Sequence, residues 1–237
     1  MGSAGRGCER AMLELLAARA VELVPDGAVV GLGSGRAATA FLRRLAARQT
    51  SSRPIRGVPT SEATARLARE LGVALVGLDE ASIDLTVDGA DEVDPDLNLI
   101  KGYGGALVRE RIVAAASRRQ MILVESDKLV PVLGSRGRLP VEVLPFGLPL
   151  AQRRLEDLGV RPELRTVDGR PFVSDNGNRI VDCAVQPIES PAALERDIRA
   201  IPGVVDTGLF LGTAELVLVG EGGTIRELRR SGSPWAR

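Results

Sequence analysis

Short apolar runs alternate with stretches of helical spacing along the first half of the chain, and this alternation limits the fold more than any other feature. Residues 8–24, CERAMLELLAARAVELV, carry apolar side chains at helical spacing until Pro25-Asp26-Gly27 ends the pattern. AVVGLGSG (residues 28–35) then reads as a buried strand running into a glycine turn, with a helix over Ala37–Arg48. Pro54–Val58 is a second strand. Ser61 and Glu62 open the helix SEATARLARELG, which Gly72 stops. Val73–Val76 is extended, Ile83–Val87 is a strand ending in Asp88-Gly89, Ala106–Ser117 is helical, and Met121–Glu125 is a buried strand. Strands and helices in this order predict an α/β fold, a mostly parallel sheet with helices on both faces. Such sheets bind ligands at the carboxyl ends of their strands.

The pattern changes near Gly134. PVEVLPF reads as a strand, Leu150–Leu158 as a helix, and Glu163–Val167, Phe172–Ser174 and Arg179–Cys183 as strands. Asp175-Asn176-Gly177-Asn178 is a hairpin turn signal. Pro191–Ala200 is a helix, and Val204–Leu211 and Glu215–Val219 are strands that return to the main sheet. The expected division is a catalytic domain over 1–134 and 208–237 and a small α+β domain over 135–207. Ser231–Arg237 is expected to fray.

Composition narrows the chemistry. Among 237 residues, 31 basic and 31 acidic side chains cancel, so no global basic surface invites nucleic acid. Arginine pairs such as Arg43–Arg44 and Arg229–Arg230 read as solvated helix faces. With no histidine, a His base, a Ser-His-Asp triad and His-ligated metals are excluded. Cys8 and Cys183 form no metal cluster and read as free thiols in a reducing cytoplasm. Met1–Gly7 does not resemble a signal peptide and reads as an extraneous or disordered tail. No apolar stretch has membrane-spanning length, so no membrane partner is expected.

Three segments can carry chemistry. Gly31–Ala38, GLGSGRAA, joins a strand to a helix whose N-terminus offers N–H groups to an anion. It lacks the third glycine of the dinucleotide fingerprint and the Lys-Ser/Thr pair of a P-loop. It reads either as a small phosphate site, with Ser34 and Arg36 as donors, or as a plain tight turn. Asp88–Asp94, DGADEVD, places Asp88 and Asp91 at a strand end, where a turn, a Mg²⁺ site or a catalytic acid would each account for them. Lys101–Ile112, KGYGGALVRERI, has a glycine loop after Lys101 and Glu110 on the early turns of a helix. A lysine beside carboxylates can stabilise an oxyanion, and a carboxylate in a dry pocket can act as a base. The competing reading is a loop followed by a surface helix.

Taken together and in order, VVGLGSG, VPTSEATARLARELGV, VDGADEVD, KGYGGALVRERI, LVESDKLVPVLG, LPVEV, SDNGN and AIPGVVDTGLF resemble type A ribose-5-phosphate isomerases. The resemblance implies a Rossmann-like domain with a smaller ferredoxin-like α+β domain, assembled as a homodimer or homotetramer in the cytoplasm. It implies interconversion of D-ribose 5-phosphate and D-ribulose 5-phosphate without metal or cofactor. Glu110 takes the place of the catalytic base, and Asp88, Asp91 and Lys101 take those of the other active-site residues. Gly33, Ser34, Gly35, Arg36 and Ala37 fall on the phosphate turn, Gly102 and Gly104 on the substrate loop, and Lys128 on a lysine near the substrate. Arg10 stands where the family has a basic residue on its first helix.

Two departures bear on this. Arg36 and Ala37 replace two hydroxyl residues of the turn, and Arg36 would either bind phosphate in their stead or obstruct it. Tyr103 replaces a glycine, and would be strained if that position needs positive φ. The alternative is therefore a catalytically altered homologue that binds another sugar phosphate or anion. A sugar-phosphate sensor or CoA-transferase-like protein and a metal-dependent isomerase are further rivals.

Overall fold

A computed structural model describes residues 3–49 and 54–232. Ser233–Arg237, most of the segment expected to fray, lie outside the described residues, as do Met1, Gly2 and the side chain of Cys8. In chain order the elements are α1 (Ser3–Glu22), β1 (Val29–Leu32), α2 (Gly35–Arg48), β2 (Arg56–Pro59), α3 (Glu62–Glu70), β3 (Ala74–Leu75), β4 (Leu85–Gly89), β5 (Glu92–Val93), β6 (Leu99–Ile100) and α4 (Leu107–Ala116). They continue with β7 (Gln120–Glu125), β8 (Arg138–Val143), α5 (Leu148–Asp157), β9 (Arg161–Leu164), β10 (Thr166–Val167), β11 (Arg170–Pro171), β12 (Arg179–Ala184), α6 (Pro191–Arg199), β13 (Val204–Thr207), β14 (Leu209–Phe210), β15 (Leu216–Glu221) and β16 (Thr224–Arg229). The chain forms two compact units. One holds the residues up to Ala90, Arg109–Lys128 and those from Thr213 on; the other holds Asp91–Val108 and Leu129–Gly212.

The first unit is built on a seven-stranded sheet in the order β16-β15-β7-β4-β1-β2-β3. Its pairs are parallel except the β15–β16 hairpin. Alternation along the strands explains the two covered faces. Val30, Leu32, Leu85, Val87, Met121 and Leu123 share one core with Met12, Leu16 and Ala20 of α1 and Phe41, Leu42 and Leu45 of α2. Val29, Val58 and Ile83 point the other way, onto Val113 of α4. Each fully buried side chain of this size contributes about 1.5–3 kcal/mol relative to exposure. Ser61 caps α3, its Oγ accepting the Thr64 amide at 3.1 Å. Among the described residues, no helix is long and apolar enough to cross a membrane.

In the second unit β8-α5-β9-β12-α6-β13 forms an antiparallel sheet in the order β13-β8-β12-β9. This is the ferredoxin-like arrangement. Proline opens both helices, where a missing N–H costs nothing. Leu139, Val141, Val143, Val181 and Cys183 pack against Ala151, Leu155 and Ile198 in a separate core.

Several expectations are corrected. Helix already runs from Ser3, and α2 begins at Gly35 rather than Ala37. Phe172–Ser174 is not a strand. The expected hairpin contracts to one bridge, Val173 to Arg179, because β12 is already paired on both sides. Val204–Leu211 does not rejoin the main sheet. It divides into β13, beside β8, and β14, in a three-stranded sheet ordered β14-β6-β5. The edge strand β16 had no signal, since TIRELR mixes charged and apolar residues without a buried run.

Candidate active site

In the first unit the strand order runs outward in opposite directions from β1 and β4, so the connectivity of the sheet reverses between them. Open α/β sheets have a crevice at that point, at the carboxyl ends of the strands. Asp88 lies near the end of β4 and is fully buried. Its Oδ1 accepts the Ser34 amide at 3.0 Å and the Gly89 amide at 2.8 Å, while the Gly33 amide donates to Val87 O at 2.9 Å. The approach is so close that a Cβ on Gly33 would lie 2.6 Å from the Asp88 Cα and 2.3 Å from Oδ1. Only glycine fits there.

The Ser34 side chain faces a cluster of buried hydroxyls. Its Oγ lies 2.8 Å from Thr60 Oγ1 and 2.9 Å from Ser61 Oγ. Thr60 donates to Leu32 O at 3.0 Å, Ser61 to Thr64 Oγ1 at 2.9 Å, and Thr64 to Gly33 O at 3.0 Å. A hydroxyl has one proton. Three are therefore committed within the cluster, and that of Ser34 goes to Thr60 or Ser61. The network ends on two carbonyls of the turn and holds its shape. Ser34 makes no side-chain cap on α2, so its hydroxyl does not take up the leading amides of that helix.

Arg36 follows on the first turn of α2, 69% exposed and paired with Glu9 of α1. Ala37 packs against the main core. Gly35, with φ 88°, joins Arg10, Arg36, Thr39 and Arg43 around an open depression of about 450 Å³. Glu110 is buried on the first turns of α4, whereas its neighbour Arg109 reaches outward to Glu62 at 2.8 Å. Lys128 ends a short 3₁₀ turn after β7 and lies 3.6 Å from Asp127.

In the second unit the Asp91 amide donates to Ile100 O at 2.8 Å, and Asp91 Oδ2 accepts the Tyr103 amide at 2.9 Å. Lys101 is buried. Its amide donates to Gly208 O at 2.9 Å, and its Nζ stands 5.6 Å from the Phe210 ring centre. Glu92 and Asp94, the other acids of the cluster, hold backbone. Glu92 accepts the Gly134 and Arg136 amides at 2.6 and 2.7 Å, and Asp94 takes both the amide and the side chain of Asn98. Among the described residues no group of three or more His, Cys, Asp or Glu side chains is arranged to hold a metal ion.

The loop after Lys101 explains Tyr103. Gly102 and Gly105 carry the positive φ values, 105° and 86°, and Tyr103 does not. No strain falls on it. Its ring packs against the second core, its hydroxyl donates to Arg138 O at 3.1 Å, and the Arg138 guanidinium lies 4.0 Å from the ring centre. Burial, then the charges of Glu92 and Asp91, push the phenol up to about 12 against the opposing pull of Arg138 and Arg136. Gly104 presents an open side, where an added Cβ would meet nothing within 4 Å. Sequence reading missed Thr60, Thr64, Arg138, Arg165 and Asp182. Thr60 and Thr64 lie 26 and 31 residues from Ser34 and Gly33, Arg138 lies 35 from Tyr103, and Arg165 lies 17 from Asp182 and 63 from Gly102, beyond the reach of any local pattern.

Comparison with known proteins shows the family and the fold. The family profile for ribose 5-phosphate isomerase A (phosphoriboisomerase A) matches residues 56–223. Ribose-5-phosphate isomerase A of Gloeobacter violaceus is 52% identical over 220 residues, covering 92% of this chain and 96% of the relative. The solved structure of ribose 5-phosphate isomerase A from Methanocaldococcus jannaschii superposes with a TM-score of 0.88 at 38% identity, covering 93% of this chain and 99% of that one. Ribose 5-phosphate isomerase from Plasmodium falciparum gives a TM-score of 0.89 at 35% identity, covering 93% and 98%. The chain belongs to the ribose 5-phosphate isomerase A family.

Proposed function

We propose that this chain interconverts D-ribose 5-phosphate and D-ribulose 5-phosphate through a cis-enediolate. The observation that carries the reading is membership of the family over a stretch that includes both the Asp88–Asp94 and Lys101–Ile112 motifs.

Asp88 assists opening of the sugar ring. Glu110 takes the proton from C2 of the aldose, and the carbonyl oxygen at C1 gains negative charge. Lys101 stabilises that charge and Asp91 orients the hydroxyls. Glu110 returns the proton to C1, and the C2 hydroxyl proton is transferred to O1, leaving the ketone at C2. Carbon 1 is reduced as carbon 2 is oxidised, so the reaction balances within the substrate and calls for no redox partner. A positioned base contributes roughly 10²–10⁴-fold, and preorganised charge at the oxyanion supplies much of the remainder.

The phosphate is held at the turn Gly33–Ala37 by the leading amides of α2, with Arg36 as the charged donor, while Gly33 and Ser34, whose amides are given to Val87 and Asp88, keep the turn in shape around it. Gly102, Gly104 and Lys128 complete the substrate contacts. Assembly as a homodimer or homotetramer is proposed on family membership alone. The free, buried Cys183 suits a reducing cytoplasm.

Incubation with ribose 5-phosphate, with ketose formation recorded before and after EDTA treatment, tests the reading. Turnover retained in EDTA is expected. Binding without turnover would leave a ligand-binding homologue, and loss of turnover in EDTA would leave a metal enzyme.

A further inference from the structure

We propose that Arg165, seated on Asp182, is a positioning residue for the isomerase reaction, holding the Gly102–Gly105 loop that follows Lys101; this rests on the functional reading above. Arg165 leaves β9 with its side chain only 9% exposed. Its Nε donates to Asp182 Oδ2 at 2.8 Å and its Nη2 to Oδ1 at 2.5 Å, a two-point pairing. Its remaining nitrogen, Nη1, donates to the carbonyls of Gly102 and Tyr103, both at 3.1 Å. One planar group thus ties a strand of the second unit's sheet to the loop. A lysine has one nitrogen and cannot present both edges of that fork.

The loop needs an external hold. Three of its four residues are glycine, which lose the most freedom on ordering, and its own bond is a single turn hydrogen bond, Gly105 N to Gly102 O at 2.9 Å. Asp182 serves this loop twice. Besides Arg165 it lies 3.4 Å from Arg138 Nε, the arginine stacked on Tyr103. Phe172 closes the far end, where a Cβ on Gly105 would lie 2.5 Å from its ring, and Arg165 lies 5.7 Å from the same ring centre. The Gly102 carbonyl is one residue from Lys101, whose own amide is anchored on Gly208. Backbone on both sides of Lys101 is therefore fixed. Misplacement of a reacting group by about 1 Å costs on the order of 10²-fold in rate.

The test uses Arg165→Gln and Arg165→Lys in the full chain, with two readouts. The first is the split between kcat and KM for ribose 5-phosphate. The second is tyrosinate absorbance, which reports on the loop alone because Tyr103 is the chain's single tyrosine. In the Gln variant kcat is expected to fall roughly 10–100-fold with KM changed by less than about 3-fold. The Tyr103 transition is expected to drop from about 12 toward the ordinary value of about 10. The Lys variant should recover part of both. Unchanged kcat, or a reduced kcat with the Tyr103 transition still near 12, overturns the proposal. Should Arg165→Gln fail to fold, Asp182→Asn is judged by the same criteria. A wild-type chain that does not turn over ribose 5-phosphate overturns the functional reading instead, since the tyrosine transition still reports whether Arg165 holds the loop.

Discussion

The carboxylate of Asp88 accepts the backbone amide of Ser34 at 3.0 Å, joining the end of β4 to the turn that follows β1. Two residues 54 positions apart thereby share one point of the sheet, where its connectivity reverses. An acid assigned to ring opening and a turn assigned to phosphate are positioned by the same bond.

That bond predicts the effect of Gly33→Ala. The added methyl would stand 2.6 Å from the Asp88 Cα, and backbone at both strand ends has to move. Forced overpacking of this kind costs about 1–3 kcal/mol. A lowered thermal midpoint together with reduced turnover is expected. A variant with wild-type melting would show that the two strand ends do not touch in solution.

Ser34→Ala and Arg36→Ala should separate shape from charge. The Ser34 hydroxyl is committed to Thr60 and Ser61, so its loss leaves buried hydroxyls short of a partner at about 1–3 kcal/mol and should lower stability more than it raises KM. The exposed pairing of Arg36 with Glu9 contributes little to the fold, about 0–1 kcal/mol. Its removal should leave melting unchanged and raise KM for ribose 5-phosphate about tenfold, because the phosphate then has one charge-assisted hydrogen bond fewer. Melting curves and KM values measured on both variants decide; the reverse pattern would reassign the two residues.

Glu110→Gln keeps the size of a buried side chain and removes its basicity. Folding should be intact by circular dichroism, and kcat should fall by roughly 10²–10⁴-fold. Near-normal turnover in this variant would remove Glu110 as the base.

Alkaline stability follows from two groups with raised values. Cys183, buried in the second core beside Asp182, is pushed from 9.0 up to about 12, chiefly by desolvation, and Tyr103 from 10.0 to about 12. The folded chain keeps both protons to about pH 12, while the unfolded chain releases them from about pH 9 and 10. Their contribution is complete below about pH 9 and is lost as pH rises from there to about 12. Urea midpoints measured across pH 8–11 should fall accordingly, and Cys183→Ala should flatten the first part of the slope. A flat profile in the wild type would contradict the burial of both groups.

The alternation of β1, α2, β2, α3, β4, α4 and β7 was legible in the amino-acid order because burial on both faces demands continuous apolar runs and glycine or proline breaks between them. So was the placement of Asp88 and Asp91 at or just after a strand end, of Lys101 before a glycine loop and of Glu110 on an early helical turn. These are local facts, expressed within a few residues. What lay beyond reading was set by distant partners. The hydroxyls of Thr60 and Ser61 that occupy Ser34, the pairing of Arg36 with Glu9, and the absence of strain at Tyr103 all depend on residues brought close by packing. The split of Val204–Leu211 between two sheets is of the same kind, since β-pairing is chosen by the edge available and not by the strand's own composition. Chemistry-bearing residue types follow from order along the chain; which of their protons, amides and charges are already engaged follows only from three-dimensional proximity.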